Sequence, residues 1–336
     1  VLITNEKRLE ILRNLAISKI ATTKKDYPIY GSYVVSEKGK VVSSDASSYI
    51  SLDATFPFEG AVNIFVLESL LNKCSGDMEL EQQESEIKIK FDNINTTINI
   101  GIGISIPSLS CPDVSKVSLT PEIISNLKTA VKFVGKDNLY QNVYFGDGIL
   151  CATDRERVYL YKDETINSVP VMLSPKIISL LTETIQLGSI KGAVVLSWDK
   201  TEETGAGYGL FSTTQVSGFS TDKIIKFVDN SKENLKFLCN FAVLKDALDK
   251  VKVMCVGEED PVLQIKNEEG CLEITGGSYL NGFMKASYES SLKEKFEIEL
   301  SFNLFSSISI DYDVYINLNQ QDKLILTNGQ SDIILM

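Results

Sequence analysis

Apolar and polar residues alternate along three separate stretches of this chain, and each stretch is broken by a turn that ends in glycine. The stretches are SYVVSEKGKVVSSDA from Ser32, NVYFGDGILCATD from Asn142 and VLQIKNEEGCLEITG from Val262. Alternation at period two marks strands with one buried face, and a tight turn between two such runs marks a hairpin. Gly39, Gly148 and Gly270 hold the turn, where glycine accepts the positive φ of a two-residue hairpin loop. Ser44, Thr153 and Thr275 each follow their glycine by five residues, so both sets of equivalents are 109 and then 122 residues apart. That period is too long for a solenoid unit and matches one small domain, so the pattern predicts a domain used three times.

The flanking segments repeat as well. A helical pattern precedes each hairpin. Leu9, Leu12, Ala16 and Ile20 are predicted on one face of the first helix, Ile123, Leu127, Ala130 and Phe133 of the second, and Leu244, Ala247, Leu248 and Val251 of the third. After each hairpin comes a strand that runs into a short helix-like segment, from Val62, Val171 and Ile298. A second hairpin follows in the first and third units, in MELEQQESEIKIKF from Met78 and VYINLNQQDKLILTN from Val314. The second unit carries a longer glycine-rich connection in GAVVLSWDKTEETGAGYGLFS. We therefore expect an α+β chain of three tandem similar domains, 1–113, 114–229 and 230–336, each ordered helix, hairpin, helix, hairpin.

At 336 residues and 43% hydrophobic content, the chain is long enough for more than one core. No apolar stretch reaches the length of a membrane span, and no secretory signal precedes the first helix, so a cytoplasmic location is expected. The six cysteines, Cys74, Cys111, Cys151, Cys239, Cys255 and Cys271, show no CxxC spacing and are expected as free thiols, with several buried. Histidine is absent, which removes the usual general base, the commonest metal ligand and every Ser-His or Cys-His nucleophile. TGAGYG from Thr204 lies between strand-like runs and lacks the lysine of a phosphate loop. It and GIGIS from Gly101 are expected as a hairpin connection and as strand. Neither catalysis, a cofactor nor a metal is expected.

Charge changes the picture. The net value of −12 argues against a general nucleic-acid binder. The three long helical segments nevertheless hold thirteen basic residues against six acidic ones. The basic set is Lys7, Arg8, Arg13, Lys19, Lys24 and Lys25 in the first, Lys128, Lys132 and Lys136 in the second, and Lys236, Lys245, Lys250 and Lys252 in the third. These segments sum to +7 and leave −19 for the rest. A bias shared by three equivalent helices predicts one positive surface.

Local sequence is similar to that of a known family, the bacterial-type DNA sliding clamp or β subunit of the replicative polymerase. CATDRERVYLY from Cys151 resembles that family's ATDGHRLA-like stretch, with Arg155 and Glu156 in place of glycine and histidine. SSDASSYISL from Ser43 resembles the first domain's TDLE stretch. VSGFSTDKIIKF from Val216 is similar to the segment around FPDY, with Ser220 and Thr221 substituted. The order of NFAVLKDALDKVKVM, VLQIKNEEGCLEITG, ASYESS and IELSFNLFSSI resembles the third domain. These departures suit a divergent member, phage or mobile-element encoded.

The resemblance implies three clamp domains whose helices face an inner channel with antiparallel sheets outside. It implies a homodimeric ring that encircles duplex DNA without reading its sequence and tethers a DNA polymerase. The thirteen cations would line the DNA. A short peptide motif of the polymerase or clamp loader would dock at Thr153, Arg155, Glu156, Arg157 and Val158, with Phe227, Ile334 and Met336. Ile98 and Ile100 would meet Val253 and Met254 across the dimer interface. Two other readings stay open: a β-rich structural or scaffold protein without DNA, and a carboxylate-based enzyme.

Overall fold

The computed structural model describes residues 1–24, 28–137, 140–166, 170–190, 192–201, 204–213, 218–259, 261–278, 281–305, 308–309, 311–319 and 323–336. One element order is used three times. The first pass is β1 (Leu2–Ile3), α1 (Asn5–Ser18), β2 (Tyr33–Glu37), β3 (Lys40–Ser44), β4 (Ser48–Leu52), β5 (Gly60–Asn63), α2 (Ile64–Lys73), β6 (Met78–Gln82), β7 (Glu86–Phe91) and β8 (Ile94–Asn99). The second is β9 (Lys116–Ser118), α3 (Pro121–Ala130), β10 (Val143–Gly146), β11 (Ile149–Thr153), β12 (Arg157–Lys162), β13 (Val171–Leu173), α4 (Pro175–Ile178), β14 (Ile185–Ile190), β15 (Ala193–Trp198) and β16 (Gly207–Ser212). An extra helix, α5 (Thr221–Ser231), precedes the third pass. That pass is β17 (Leu235–Asn240), α6 (Phe241–Val251), β18 (Val262–Glu268), β19 (Cys271–Ser278), β20 (Gly282–Glu289), β21 (Phe296–Ser301), a 3-10 turn at Phe302–Phe305, β22 (Asp313–Asn317), β23 (Leu324–Thr327) and β24 (Ser331–Leu335).

Contacts gather these elements into two compact units, and the middle pass is divided between them. The first unit is Val1–Ile124 with Lys176–Thr214, and the second is Ser125–Pro175 with Gln215–Met336. The first holds an eight-stranded sheet, β5-β2-β3-β4-β16-β15-β14-β9, and a four-stranded sheet, β1-β6-β7-β8. The second holds β13-β10-β11-β12-β24-β23-β22-β17 and β20-β19-β18-β21. Each eight-stranded sheet is two four-stranded halves joined edge to edge. The joint is β4 to β16 in one, with Ile50 opposite Gly209, and β12 to β24 in the other, with Tyr159 opposite Ile333. Both joints are antiparallel.

The three predicted hairpins are β2–β3, β10–β11 and β18–β19, and their turns are alike. Lys38 and Gly39 have φ of 52° and 76°, Asp147 and Gly148 50° and 76°, Glu269 and Gly270 54° and 86°. Two successive positive values define the type I′ turn, whose twist matches that of the strands. The resemblance extends past the first two hairpins. Asp45 Oδ1 accepts from the N–H groups of Ser47 and Ser48, and Asp154 Oδ1 from those of Glu156 and Arg157. Ala46 and Arg155, between them, both take positive φ. At the third position the chain runs straight on, since Thr275 is followed by Gly276 within β19.

Helices α3, with the 3-10 turn Val131–Phe133 that follows it, and α6 bury the predicted faces: Ile123, Leu127, Ala130 and Phe133, and Leu244, Ala247, Leu248 and Val251, are all nearly inaccessible. The first helix differs. α1 turns Arg8, Ile11, Asn14, Leu15 and Ser18 inward, while Leu9 and Ala16 stay exposed. Arg8 and Asn14 on that face have side-chain partners, whereas Ser18 is held through its carbonyl and its buried Oγ has no partner among the described residues. Arg8 Nη1 donates to the Leu71 carbonyl at 2.7 Å, Asn14 Oδ1 accepts from the Gly205 N–H at 3.3 Å, and the Ser18 carbonyl accepts from Ser43 Oγ at 2.7 Å. GIGIS forms a turn, with Gly103 at φ 75°, and no strand.

The β15–β16 connection lies close against the strand end at β4. Asp53 N–H donates to the Ala206 carbonyl, and Trp198 Nε1 to that of Gly205 at 3.2 Å. A Cβ at Gly205 would overlap the Asp53 carbonyl oxygen, a backbone atom with little freedom to move. Gly205→Ala is expected to destabilise the chain by about 1–3 kcal/mol and to shift Trp198 fluorescence to the red. Urea titration with fluorescence detection checks both.

Candidate functional site

The Asx turn at Thr153–Arg157 sets the edge of an apolar cluster in the second unit. Arg155 N–H donates to Thr153 Oγ1 at 3.0 Å, so the buried threonine caps the turn from inside. Val158 then enters β12 facing inward and lies opposite Ile334 in β24. Both belong to a buried group with Tyr144, Leu160, Phe219 and Val228. Phe227, Met336, Tyr140, Ile224 and Ile225 pack on it half-buried. The structure thus places the residues assigned to a peptide pocket near one another: Val158 and Ile334 are buried in the cluster, Phe227 and Met336 pack half-buried against it, and Arg155 and Glu156 are exposed on the turn at its rim.

The rim is held by charge. Arg157 Nε donates to Asp154 Oδ2 at 2.8 Å while its guanidinium lies 5.0 Å from the Phe133 ring. Arg155 pairs with Asp137 at 3.0 Å and stands over Tyr140 at 5.0 Å. Lys323 stands over Phe227 at 4.9 Å. The Met336 N–H donates to the Glu156 carbonyl at 3.0 Å, which fixes β24 to the turn. Burial, reinforced by a hydrogen bond to Asp147, raises the Tyr144 phenol above its ordinary range. Burial alone pushes the Cys151 thiol up to about 12, so it packs as a neutral group. Tyr140, Phe219, Ile224, Ile225 and Lys323 escaped the sequence reading. The spacing of Ile224, Ile225, Phe227 and Val228 along α5 was the available signal.

The thirteen helix cations separate into groups. Arg8 is buried with its guanidinium on Leu71 and Asn5, which removes it from any phosphate-binding surface. Lys7, Lys19, Lys236 and Lys250 pair with Glu10, Glu68, Glu294 and Asp246. Arg13 and Lys132 are exposed and engaged in other contacts. Lys24 is exposed and lies over the Phe65 ring at 5.4 Å. Lys128, Lys136, Lys245 and Lys252 are exposed and have no ion-pair partner among the described residues. Lys25 lies outside the described residues.

The four-stranded sheets end on β1 and β8 in the first unit and on β20 and β21 in the second. Ile98 in β8 is buried within its own sheet, and Ile100 lies beside Gly60. Val253 is 65% exposed, as are Val256 (71%), Phe283 (60%) and Met284 (38%) near the β20 edge. Met254 Cε approaches the position a Cβ would take at Gly282, so the residue assigned from sequence adjoins the edge strand. The strand itself, β20, was missed, because its alternation is weak. No group of acidic, cysteine or histidine side chains among the described residues could hold a metal ion, and no helix there is long and apolar enough to cross a membrane.

This architecture defines a class: the fold is that of the DNA sliding clamps. The DNA polymerase III beta subunit of Thermotoga maritima matches at TM-score 0.78 and 15% identity, over 100% of this chain and 98% of that one. The Helicobacter pylori beta clamp bound to a DNA ligase peptide matches at 0.77 and 13%, over 100% and 99%. The sliding clamp of Bacillus subtilis matches at 0.77 and 13%, over 100% and 97%. No protein-family model matches the sequence, and no curated protein does.

Proposed function

We propose that the chain is a DNA sliding clamp: a homodimeric ring that encircles duplex DNA, carries no catalytic activity, and tethers a DNA polymerase and other cytoplasmic replication proteins. One observation carries the ring. By position in the repeated order, β4, β12 and β20 are equivalents, and so are β8, β16 and β24. Two of these pairs are joined, β4 with β16 and β12 with β24. The remaining members of the two sets, β8 and β20, each end a four-stranded sheet and have no such joint. A second copy laid head to tail completes both missing joints at once and leaves neither edge open. We assign the three passes to domains 1–113, 114–229 and 230–336, the last boundary falling inside α5.

A ring holds DNA by topology, so its lining needs only to attract phosphates. Lys24, Lys128, Lys136, Lys245 and Lys252 serve this role, because their ammonium groups carry no carboxylate partner among the described residues. The unit-two cluster is the dock for a partner's short peptide, with apolar anchors entering over Val158, Ile334, Phe227 and Met336. Clamp loader and polymerase would compete for it. The ligase peptide on the Helicobacter pylori clamp supports this mode of recognition.

The test is topological. Chains diluted to monomer are concentrated in the presence of nicked circular or linear plasmid, then washed at about 1 M salt, where the Debye length is about 3 Å and charge attraction is screened. Retention on circles that is lost on linearisation is the expected result. Dimers that remain equally on both DNAs, or on neither, would overturn encirclement and favour a scaffold role.

A further inference from the structure

The glycine-rich connection between β15 and β16 is not absorbed by the clamp reading, and it builds a groove. Thr201 and Thr204 close it on themselves, N–H of Thr204 to Thr201 Oγ1 at 3.0 Å and N–H of Thr201 to the Thr204 carbonyl at 3.0 Å. Gly205 is pinned to Asn14 of α1. Between this connection, α1 and the segment before β14 lies a groove of about 400 Å³. Ile17, Leu180, Ile185 and Trp198 supply its apolar surface, and serine and threonine hydroxyls most of the remainder. Asp199 is the one charged residue in the lining among the described residues. It is exposed and has neither an ion pair nor a hydrogen bond among the described residues. Glu183, also exposed and unpaired among the described residues, sits in the turn whose Thr182 and Thr184 line the groove.

We propose that this groove is a second docking site, which takes one apolar side chain of a partner peptide with a lysine or arginine next to it. The apolar surface rewards burial of an aliphatic or aromatic anchor. The unpaired Asp199 carboxylate on the lip selects a neighbouring cation and repels an acid. The groove is open along one side. A side chain hung from a backbone that stays in solvent fills it, whereas a free molecule would leave much of its surface in water. The site lies wholly within the first unit and stands whether or not the chain forms a ring.

Trp198 is the single tryptophan of the chain, so its emission reports on this groove alone. The full chain is titrated with the capped peptide acetyl-Gly-Phe-Lys-Gly-amide, and separately with its Phe-Glu and Ala-Lys counterparts. A saturable change with the Phe-Lys peptide is expected, with the other two weaker by at least about threefold. Asp199→Asn, a change at an exposed position that leaves the fold intact, should weaken the Phe-Lys peptide by about threefold to fivefold, the upper part of the range of an exposed ion pair. Ile17→Glu should abolish the response. No saturable change, equal affinity for the Phe-Lys and Phe-Glu peptides, or unchanged affinity in Asp199→Asn would each overturn the proposal.

Discussion

A chain carrying Met284→Glu is expected to run at the mass of one chain, 37.2 kDa, under conditions where the parent runs at twice that value. Met284 stands in β20, the edge strand of the second unit's four-stranded sheet, and is 38% exposed, so a carboxylate there is solvated in the monomer. Closing the proposed joint against β8 would strip that water from an unpaired charge, at about 3–5 kcal/mol. That is roughly two to four orders of magnitude in affinity for each joint. Two-fold symmetry repeats the penalty, because each copy gives its β20 to one joint and its β8 to the other. Sedimentation or light scattering reads the mass, and circular dichroism confirms that the chain is folded. A folded Met284→Glu chain that dimerises as well as the parent would remove β20 from the interface and leave the exposed Val253 and Val256 as the next place to look.

Reversing Lys245 and Lys252 to glutamate should weaken duplex binding and flatten its salt dependence. Both are exposed on the segment from α6 to the following turn, and neither has an ion pair among the described residues, so a phosphate contact meets no internal competitor. Each lost contact lowers the slope of log affinity against log salt by about 0.9, so a two-chain ring losing four should change by about 3.6. The effect should not depend on DNA sequence, since phosphate contacts carry none. Lys266→Glu with Lys285→Glu makes the same change in net charge at lysines that already pair with Glu268 and Glu273. That control should leave the slope nearly unaltered. Equal loss in both double variants would assign the effect to overall charge and exclude α6 from the DNA-facing surface.

Local chemistry was legible in the chain and edge partners were not. The three I′ turns could be read because a tight hairpin demands positive φ, and glycine between two alternating runs meets that demand without strain. The Asp45 and Asp154 turns follow from the same stretches. The buried faces of α3 and α6 were plain because their apolar residues form one stripe. α1 misled: Leu9, Ile11, Leu12, Leu15, Ala16 and Ile17 surround the helix, so its stripe was not unique. The buried face was decided by polar residues with distant partners, Arg8 on Leu71 and Asn14 on Gly205. A partner about 190 residues away leaves no trace in local periodicity. For the same reason the family resemblance pointed to Thr153–Val158 as a candidate site but not to Tyr140, Phe219 or Lys323, which come near it only through the fold. The thirteen helix lysines and arginines were countable from the start, whereas their availability depended on which of them had found a carboxylate or a carbonyl.

The two sheet joints also set a timetable for synthesis. The I′ hairpins are local and close in roughly microseconds once their strands exist. The edge of β4 must wait for β16, about 155 residues later, and that of β12 for β24, about 170 residues later. At roughly 5–20 residues per second on the ribosome, each half-sheet stands open for about 8 to 35 seconds. During that interval a folded four-stranded half presents an unpaired β-edge to the crowd of other nascent chains. Production of this protein should therefore depend on holding chaperones, and slowing translation should lower its soluble yield.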